Sequence, residues 1–284
     1  MAHSTALDPP ERVPVSPVPP VPPDYGDLRA YTEDDLLGGA IRLTQAKTGF
    51  RTAIDAALLA AAVPVGPGER VLDLGCGVGS VGLCLLARQP TAQVVGIERH
   101  PETAALCRHN IIRNGRDEAH IVHTGDIRAA SAILGERPFE QVVMNPPYWP
   151  AGRYQRARDA ARAAALGETD TDLGDWLGIA YRHLKPKGWL SVIYPAARLD
   201  TLLGGLVGRF GATTTIPLWP KPGREAKRVI VRARKGAKTP ARLLAGLVLH
   251  QEGGSYSAAA EQVLRTPVTL DTVLTGIGQE EPEV

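Results

Sequence analysis

Apolar and polar positions in this 284-residue chain change period repeatedly, and each change marks an element. Residues 55 to 62, Asp-Ala-Ala-Leu-Leu-Ala-Ala-Ala, are good helix formers and stop short of Pro64. Gly66-Pro67-Gly68 is a turn. A short apolar strand is predicted over 70 to 74 and a helix over 81 to 88. A strand over 93 to 97 and a helix over 101 to 114 follow, the helix with proline in its first turn. Further strands are predicted over 120 to 123 and 139 to 144, and a helix over 173 to 184. That helix is closed by Lys185-Pro186-Lys187-Gly188. A strand over 189 to 194, a mostly helical stretch over 196 to 210, and strands over 213 to 218 and 228 to 234 complete the series.

Strands alternating with helices of this length build parallel βαβ units with right-handed crossovers. The reading is an α/β fold whose seven-stranded, mostly parallel sheet is flanked by helices. The last two strands lack an intervening helix and should pair antiparallel. One domain is expected over residues 31 to 265, followed by a tail over 266 to 284. Residues 1 to 30 read as a disordered extension: proline is dense from Pro9 to Pro23, and Val18-Pro19-Pro20-Val21-Pro22-Pro23 favours polyproline II.

Net charge is +2, but residues 1 to 40 hold seven acids and two bases, leaving 30 bases against 23 acids beyond them. That surplus favours a polyanionic partner weakly. Three cysteines without metal-ligand spacing read as free thiols in a reducing compartment, with no structural zinc. There is no signal pattern and no apolar run of membrane-spanning length, so a soluble, cytoplasmic protein is expected.

Two stretches carry chemistry. In the first, Asp73-Leu74-Gly75-Cys76-Gly77-Val78-Gly79 follows a predicted strand and opens a helix. Glycines there allow a tight turn and close approach of backbone to a ligand. Glu98 ends the next strand, where a carboxylate can hold ribose hydroxyls. Dinucleotide sites place the third glycine three residues after the second, over a pyrophosphate. Here it comes after two, and an acid precedes the first. A cofactor with cationic sulfonium and ammonium groups and no phosphate, S-adenosylmethionine, suits Asp73 and Glu98. Asp126, after the third strand, could accept from an adenine amino group or cap a helix.

In the second stretch, Val142-Val143-Met144 runs into Asn145-Pro146-Pro147-Tyr148, at the strand end where open α/β sheets bind ligands. The prolines fix the backbone and extend Asn145. A planar amide or exocyclic nitrogen is a poor nucleophile because its lone pair is delocalised. The Asn145 side-chain oxygen and the Pro146 carbonyl can each accept one N–H, orienting the nitrogen and stabilising positive charge as it develops. Tyr148 and Pro147 would lie against the planar group. Arg153, Arg156, Arg158 and Arg162 follow, with Tyr154 among them, which suits RNA beside the pocket. Lys221, Arg224, Lys227 and Arg228 form a second basic group, and Lys235, Lys238 and Arg242 a third. His109 and His183 read as helix-surface residues.

These residues resemble Rossmann-like methyltransferases of the small-domain type, and most of all the bacterial valine-tRNA adenine N6-methyltransferases. Gly49-Phe50-Arg51 with Asp55-x-x-Leu58-Leu59, the glycine turn, Glu98, Asp126, Asn145 to Tyr148, and Leu249-His250-x-x-Gly253-Gly254-x-Tyr256 carry the resemblance. It implies strand order 3-2-1-4-5-7-6 and S-adenosylmethionine as cofactor. Asp73, Gly75, Gly77, Gly79, Glu98, Asp126 and Asn145 would line the cofactor pocket. Asn145, Pro146 and Tyr148 would do the chemistry, with Pro147, Tyr148, Arg153 and Arg156 against the substrate. The implied reaction is methylation of adenine N6 in tRNA. A protein glutamine amide or guanine N2 of rRNA presents the same planar nitrogen and stays open as the alternative.

Overall fold

The computed structural model describes residues 31–47, 54–135, 137–147 and 171–277. The expected extension over residues 1–30 lies outside them, as do Tyr148, Arg153 and Arg156. Strands β1 (Tyr31–Leu36) and β2 (Ile41–Ala46) pair antiparallel as a separate two-stranded sheet. Then come α1 (Ile54–Ala62), β3 (Arg70–Leu74), α2 (Ser80–Arg88), β4 (Gln93–Glu98) and α3 (Pro101–Arg113). They lead to β5 (His120–Thr124), α4 (Ala130–Leu134) and β6 (Phe139–Met144). After residue 170 come α5 (Leu173–His183), β7 (Leu184–Pro195), α6 (Leu199–Leu206), β8 (Phe210–Trp219) and β9 (Arg228–Lys235). Two-residue strands β10 (Arg242–Leu243) and β11 (Leu247–Val248) precede helices α7 (Ala258–Arg265) and α8 (Leu270–Ile277).

The main sheet runs β5-β4-β3-β6-β7-β9-β8, and β10 and β11 both add to the outer side of β8. Counted along the chain, its long strands stand in the order 3-2-1-4-5-7-6 that the resemblance implies. β9 is antiparallel to both neighbours, β7 and β8, so β8 runs the same way as β3 and β6. Side chains alternate across the sheet as strand period demands. Val71, Val143 and Ile230 join the core against α1, α2, α7 and α8, while Leu72, Leu74, Val142, Met144 and Val231 join the core against α5 and α6.

Local chemistry sets the helix ends. Pro101 opens α3, and the chain leaves it through Gly115 at φ 60°. Asp172 and Asp175 form a reciprocal capping box on α5. Its last turn is closed by Lys235, whose ammonium donates to the Tyr181 and Leu184 carbonyls at 2.6 and 2.7 Å. Lys235 is therefore a helix cap rather than part of a free basic cluster.

Three expectations are corrected. The stretch over 196 to 210 is a 3-10 turn followed by α6, and Phe210 already belongs to β8, where it pairs with Lys235. Gly208, at φ 78°, turns the chain between them. His109 and His183 are buried rather than surface residues. The β1–β2 hairpin covers α3, held by Asn110 of α3 and by Asn114, the residue that caps it, which bond the backbone of Thr44 and Arg42 as a neighbouring strand would. His183 meets Ser131 of α4 at 3.3 Å. Burial lowers the pKa of both imidazoles. The segment read as a tail carries α8, whose Leu270 is fully buried and whose Asp271 holds Arg232 by two bonds of 2.7 and 2.9 Å.

Candidate active site

The glycine turn links β3 to α2 at the C-terminal edge of the sheet, with all three glycines in the left-handed region (Gly75 φ 66°, Gly77 φ 57°, Gly79 φ 86°). They are not equivalent. A Cβ on Gly75 would come within 2.6 Å of the Trp176 ring, and one on Gly79 within 2.7 Å of the Cys107 sulfur. In front of Gly77 there is nothing within 4 Å. Internal packing therefore excludes side chains at Gly75 and Gly79, whereas Gly77 presents open backbone to an incoming molecule.

Glu98 fastens the turn to β4. One carboxylate oxygen accepts the Gly77 N–H at 3.0 Å and the other the His100 N–H at 2.9 Å. A carboxylate has about four acceptor positions, so lone pairs are left for ribose hydroxyls. Asp73 is only 2% exposed, and its Oδ2 has no hydrogen-bond partner. Burial, and then the charge of Glu98, push its carboxyl up to about 8. A buried acid of this kind is suited to a cation arriving from outside, because the cation would restore its charge and its hydrogen bond. Both acids thus fit a ligand with a ribose and an ammonium group.

Asp126 caps the 3-10 turn after β5, accepting from the Arg128 N–H at 2.8 Å, and both of its oxygens also take the Arg128 guanidinium. Capping is its visible role in this structure, and Arg128 holds its carboxyl below the ordinary carboxylate value. The cysteines are free and buried. Cys76 is held protonated by a hydrogen bond with Cys107 and by burial, so it has no nucleophilic role. Among the described residues, no group of three or more histidines, cysteines, aspartates or glutamates could hold a metal, and no helix is long and apolar enough to cross a membrane.

β3 and β6 are parallel neighbours with Leu74 opposite Met144. The residues that follow, Gly75 and Asn145, therefore leave the sheet side by side. Pro146 is buried, and Asn145 and Pro147 are half-buried. The same edge carries the loop between β8 and β9 with Lys221, Arg224 and Lys227, together with the acid Glu225. Lys221 donates to the Glu252 carbonyl in the loop after β11, where the His250 and Tyr256 rings stack at 4.7 Å. Arg228 pairs with Asp55 in the first turn of α1 at 3.3 Å and is tied down there.

Two residues at the turn were not evident beforehand. Trp176, in the first turn of α5, packs on Gly75. His120 lies behind Gly79 and Gly82, with both ring nitrogens unpartnered and its pKa lowered by burial to about 4. The neutral ring packs as an apolar plate. Neither residue stands in a recognisable motif; their only signal is an aromatic or imidazole ring on an otherwise apolar face.

Residues 51–198 match the family model described as the methyltransferase small domain. The chain is 30% identical over 213 residues to the tRNA1(Val) (adenine(37)-N6)-methyltransferase of Aeromonas hydrophila, covering 74% of this chain and 87% of that one. It is 33% identical over 141 residues to the release factor glutamine methyltransferase of Geobacter sulfurreducens, covering 47% of this chain and 48% of that one. Among solved structures, a predicted O-methyltransferase from Agrobacterium tumefaciens superposes with a TM-score of 0.63 at 25% identity, covering 76% of this chain and 97% of that one.

Proposed function

The chain belongs to the methyltransferase small-domain family and is an S-adenosylmethionine-dependent methyltransferase, and from that premise we propose that it methylates the N6 amine of an adenine in tRNA. The observation that carries the reading is the pairing of β3 with β6, which sets the open Gly77 turn beside Asn145 and Pro146. The cofactor, when bound, supplies an electrophilic methyl group on a sulfonium.

The chain's own residues would do the rest. Asp73 and Glu98 would hold the ammonium and ribose, and Gly75, Gly77 and Gly79 shape the turn that admits them. The Asn145 side-chain oxygen and the Pro146 carbonyl would accept the two amine hydrogens, turning the nitrogen lone pair outward and stabilising the charge that develops on it. Tyr148 and Pro147 would grip the base, with Arg153 and Arg156 on neighbouring phosphates.

Nucleic acid as the partner gains support from Lys221, Arg224 and Lys227. They occupy the same sheet edge as Asn145, three strand spacings away, or about 14 Å. That span suits phosphates two or three nucleotides from a base held at Asn145. The similarity to a glutamine methyltransferase supports a second reading, a protein amide, because an amide nitrogen needs the same two acceptors. Transfer of tritiated methyl from S-adenosylmethionine into total RNA and total protein of a strain lacking this chain decides between them. N6-methyladenosine mapped to one tRNA position is the expected result. Label in protein alone would replace the tRNA reading with the amide reading.

A further inference from the structure

We propose that the cavity beside Tyr256 receives a nucleobase of the tRNA, one a few nucleotides away from the adenine that is methylated. The proposal rests on the tRNA reading above and gives that substrate a second point of attachment.

A cavity of about 350 Å³ lies where the turn between β1 and β2, the start of α1 and helix α7 meet. Leu37, Ile54, Ala57 and Leu264 make it apolar, and Tyr256 is its aromatic member. That volume is at the small end of the range for ligand sites. The start of α1 belongs to the catalytic edge of the sheet. Asp55 in its first turn pairs with Arg228, which stands opposite Pro195, the last residue of β7. Tyr256 is half-buried and lines this space rather than filling it. Its position is fixed beforehand. It bridges to His250 across the loop, the two rings stack at 4.7 Å, and Ser257 next to it caps α7 through the Ala260 N–H at 3.1 Å. A ring already held in place loses little freedom when a ligand stacks on it.

Charge selects the guest. The charged members of the lining are Asp35 and Arg265, and Arg265 is already paired with Glu261 at 2.6 Å. Among the described residues the lining therefore has no spare positive charge for a phosphate, and it suits a neutral planar group. The positive charge stands next to it. Leu249 and His250 donate their N–H groups to the Trp219 and Pro220 carbonyls at 2.8 and 3.1 Å, and the Lys221 ammonium donates to the Glu252 carbonyl at 3.1 Å. The loop that carries Tyr256 is thus fastened to the loop that carries Lys221, Arg224 and Lys227. Glu225 and Glu252 lie in the same two loops, and the three cations outnumber them. An aromatic ring beside a group of cations is the arrangement that holds single-stranded nucleic acid, with a base on the ring and phosphates on the cations.

Tyr256→Ala should raise the KM for an unmodified tRNA transcript about tenfold, within the range for one stacked base. Its kcat at saturating tRNA and its affinity for S-adenosylhomocysteine should stay within about twofold of wild type. Tyr256→Phe keeps the ring and should restore most of the loss. Leu264→Trp, which fills the cavity and leaves Tyr256 in place, should raise the KM in the same way and answers the question if the alanine variant fails to fold. An unchanged KM overturns the proposal and leaves the tRNA reading intact. So does a phenylalanine variant as impaired as alanine, or a parallel fall in cofactor affinity, which would show that Tyr256 acts through the fold. Wild-type protein that methylates protein and no RNA overturns both.

Discussion

Binding of the cofactor should expel a proton from Asp73. Its carboxyl sits at about 8 because burial, and secondarily Glu98, disfavour the carboxylate. At pH 7 it is therefore about nine-tenths protonated in the ligand-free protein, and at pH 8 about half. An ammonium placed against it would make the carboxylate the stable form, so binding would release about 0.9 proton at pH 7 and about 0.5 at pH 8. Affinity should then tighten close to tenfold per pH unit from pH 5.5 to 7 and level off near pH 8. The ligand's own amine stays protonated through this range.

The assay is titration calorimetry with S-adenosylhomocysteine in phosphate and in Tris, whose ionisation enthalpies differ. The difference between apparent binding enthalpies counts the proton. Asp73→Asn should bind more weakly, with a flat pH profile and no buffer dependence. The same shift acts on stability with a definite sign. The folded value, about 8, lies above the ordinary value of 3.8, so the contribution is complete below about pH 4 and is lost as pH rises to about 8. The ligand-free protein should lose up to about 1.4 kcal/mol per pH unit within that window. Buffer-independent enthalpies at pH 7 with a flat affinity profile would refute this account of Asp73.

The remaining predictions test the other parts of the site. Asn145→Ala should leave S-adenosylhomocysteine affinity within about twofold and lower kcat by about 10² to 10³, since it removes an acceptor needed as charge develops; near-normal turnover would remove Asn145 from the chemistry. Gly75→Ala should destabilise the ligand-free fold by roughly 1–3 kcal/mol through its clash with Trp176, measured by denaturant titration. Gly77→Ala should cost only about 1 kcal/mol for its positive φ but weaken cofactor binding further than Gly75→Ala does per unit of stability lost. Replacing Lys221, Arg224 and Lys227 by glutamine should reduce the salt slope of tRNA binding by about 2 to 3 while kcat at saturating tRNA is kept; an unchanged slope would place the phosphates elsewhere.

The parts of the fold legible in the sequence are those that local patterning controls. Apolar runs such as Val71-Leu72 and Val142-Val143-Met144, bounded by turn residues, marked the strands that become the centre of the sheet. The peripheral strands were illegible for a physical reason. Tyr-Thr-Glu-Asp-Asp-Leu in β1 has almost no apolar alternation, and β2 is held partly by the side chains of Asn110 in α3 and Asn114 at its C-cap, 66 and 72 residues away. β10 and β11 exist because β8 offers them an edge. Burial of His109 and His183 has the same origin: their helices carry polar faces, but a hairpin and a short helix cover those faces.

The site divides along the same line. Its acids and Asn145 could be named because strand ends place them, whatever packs nearby. What packing decides could not be named. Gly75, Gly77 and Gly79 share one spacing and one sign of φ, and the spacing alone gives all three the same two reasons: a tight turn and close approach of a ligand. Trp176 and Cys107 occupy the space before two of them, and both come from outside the motif, Trp176 from about 100 residues downstream. Gly77 alone is left to the ligand. The Gly75 position thus reports on Trp176 rather than on the cofactor, so a loss of binding in a Gly75 variant would come through displacement of the indole, and only Gly77 tests backbone approach directly.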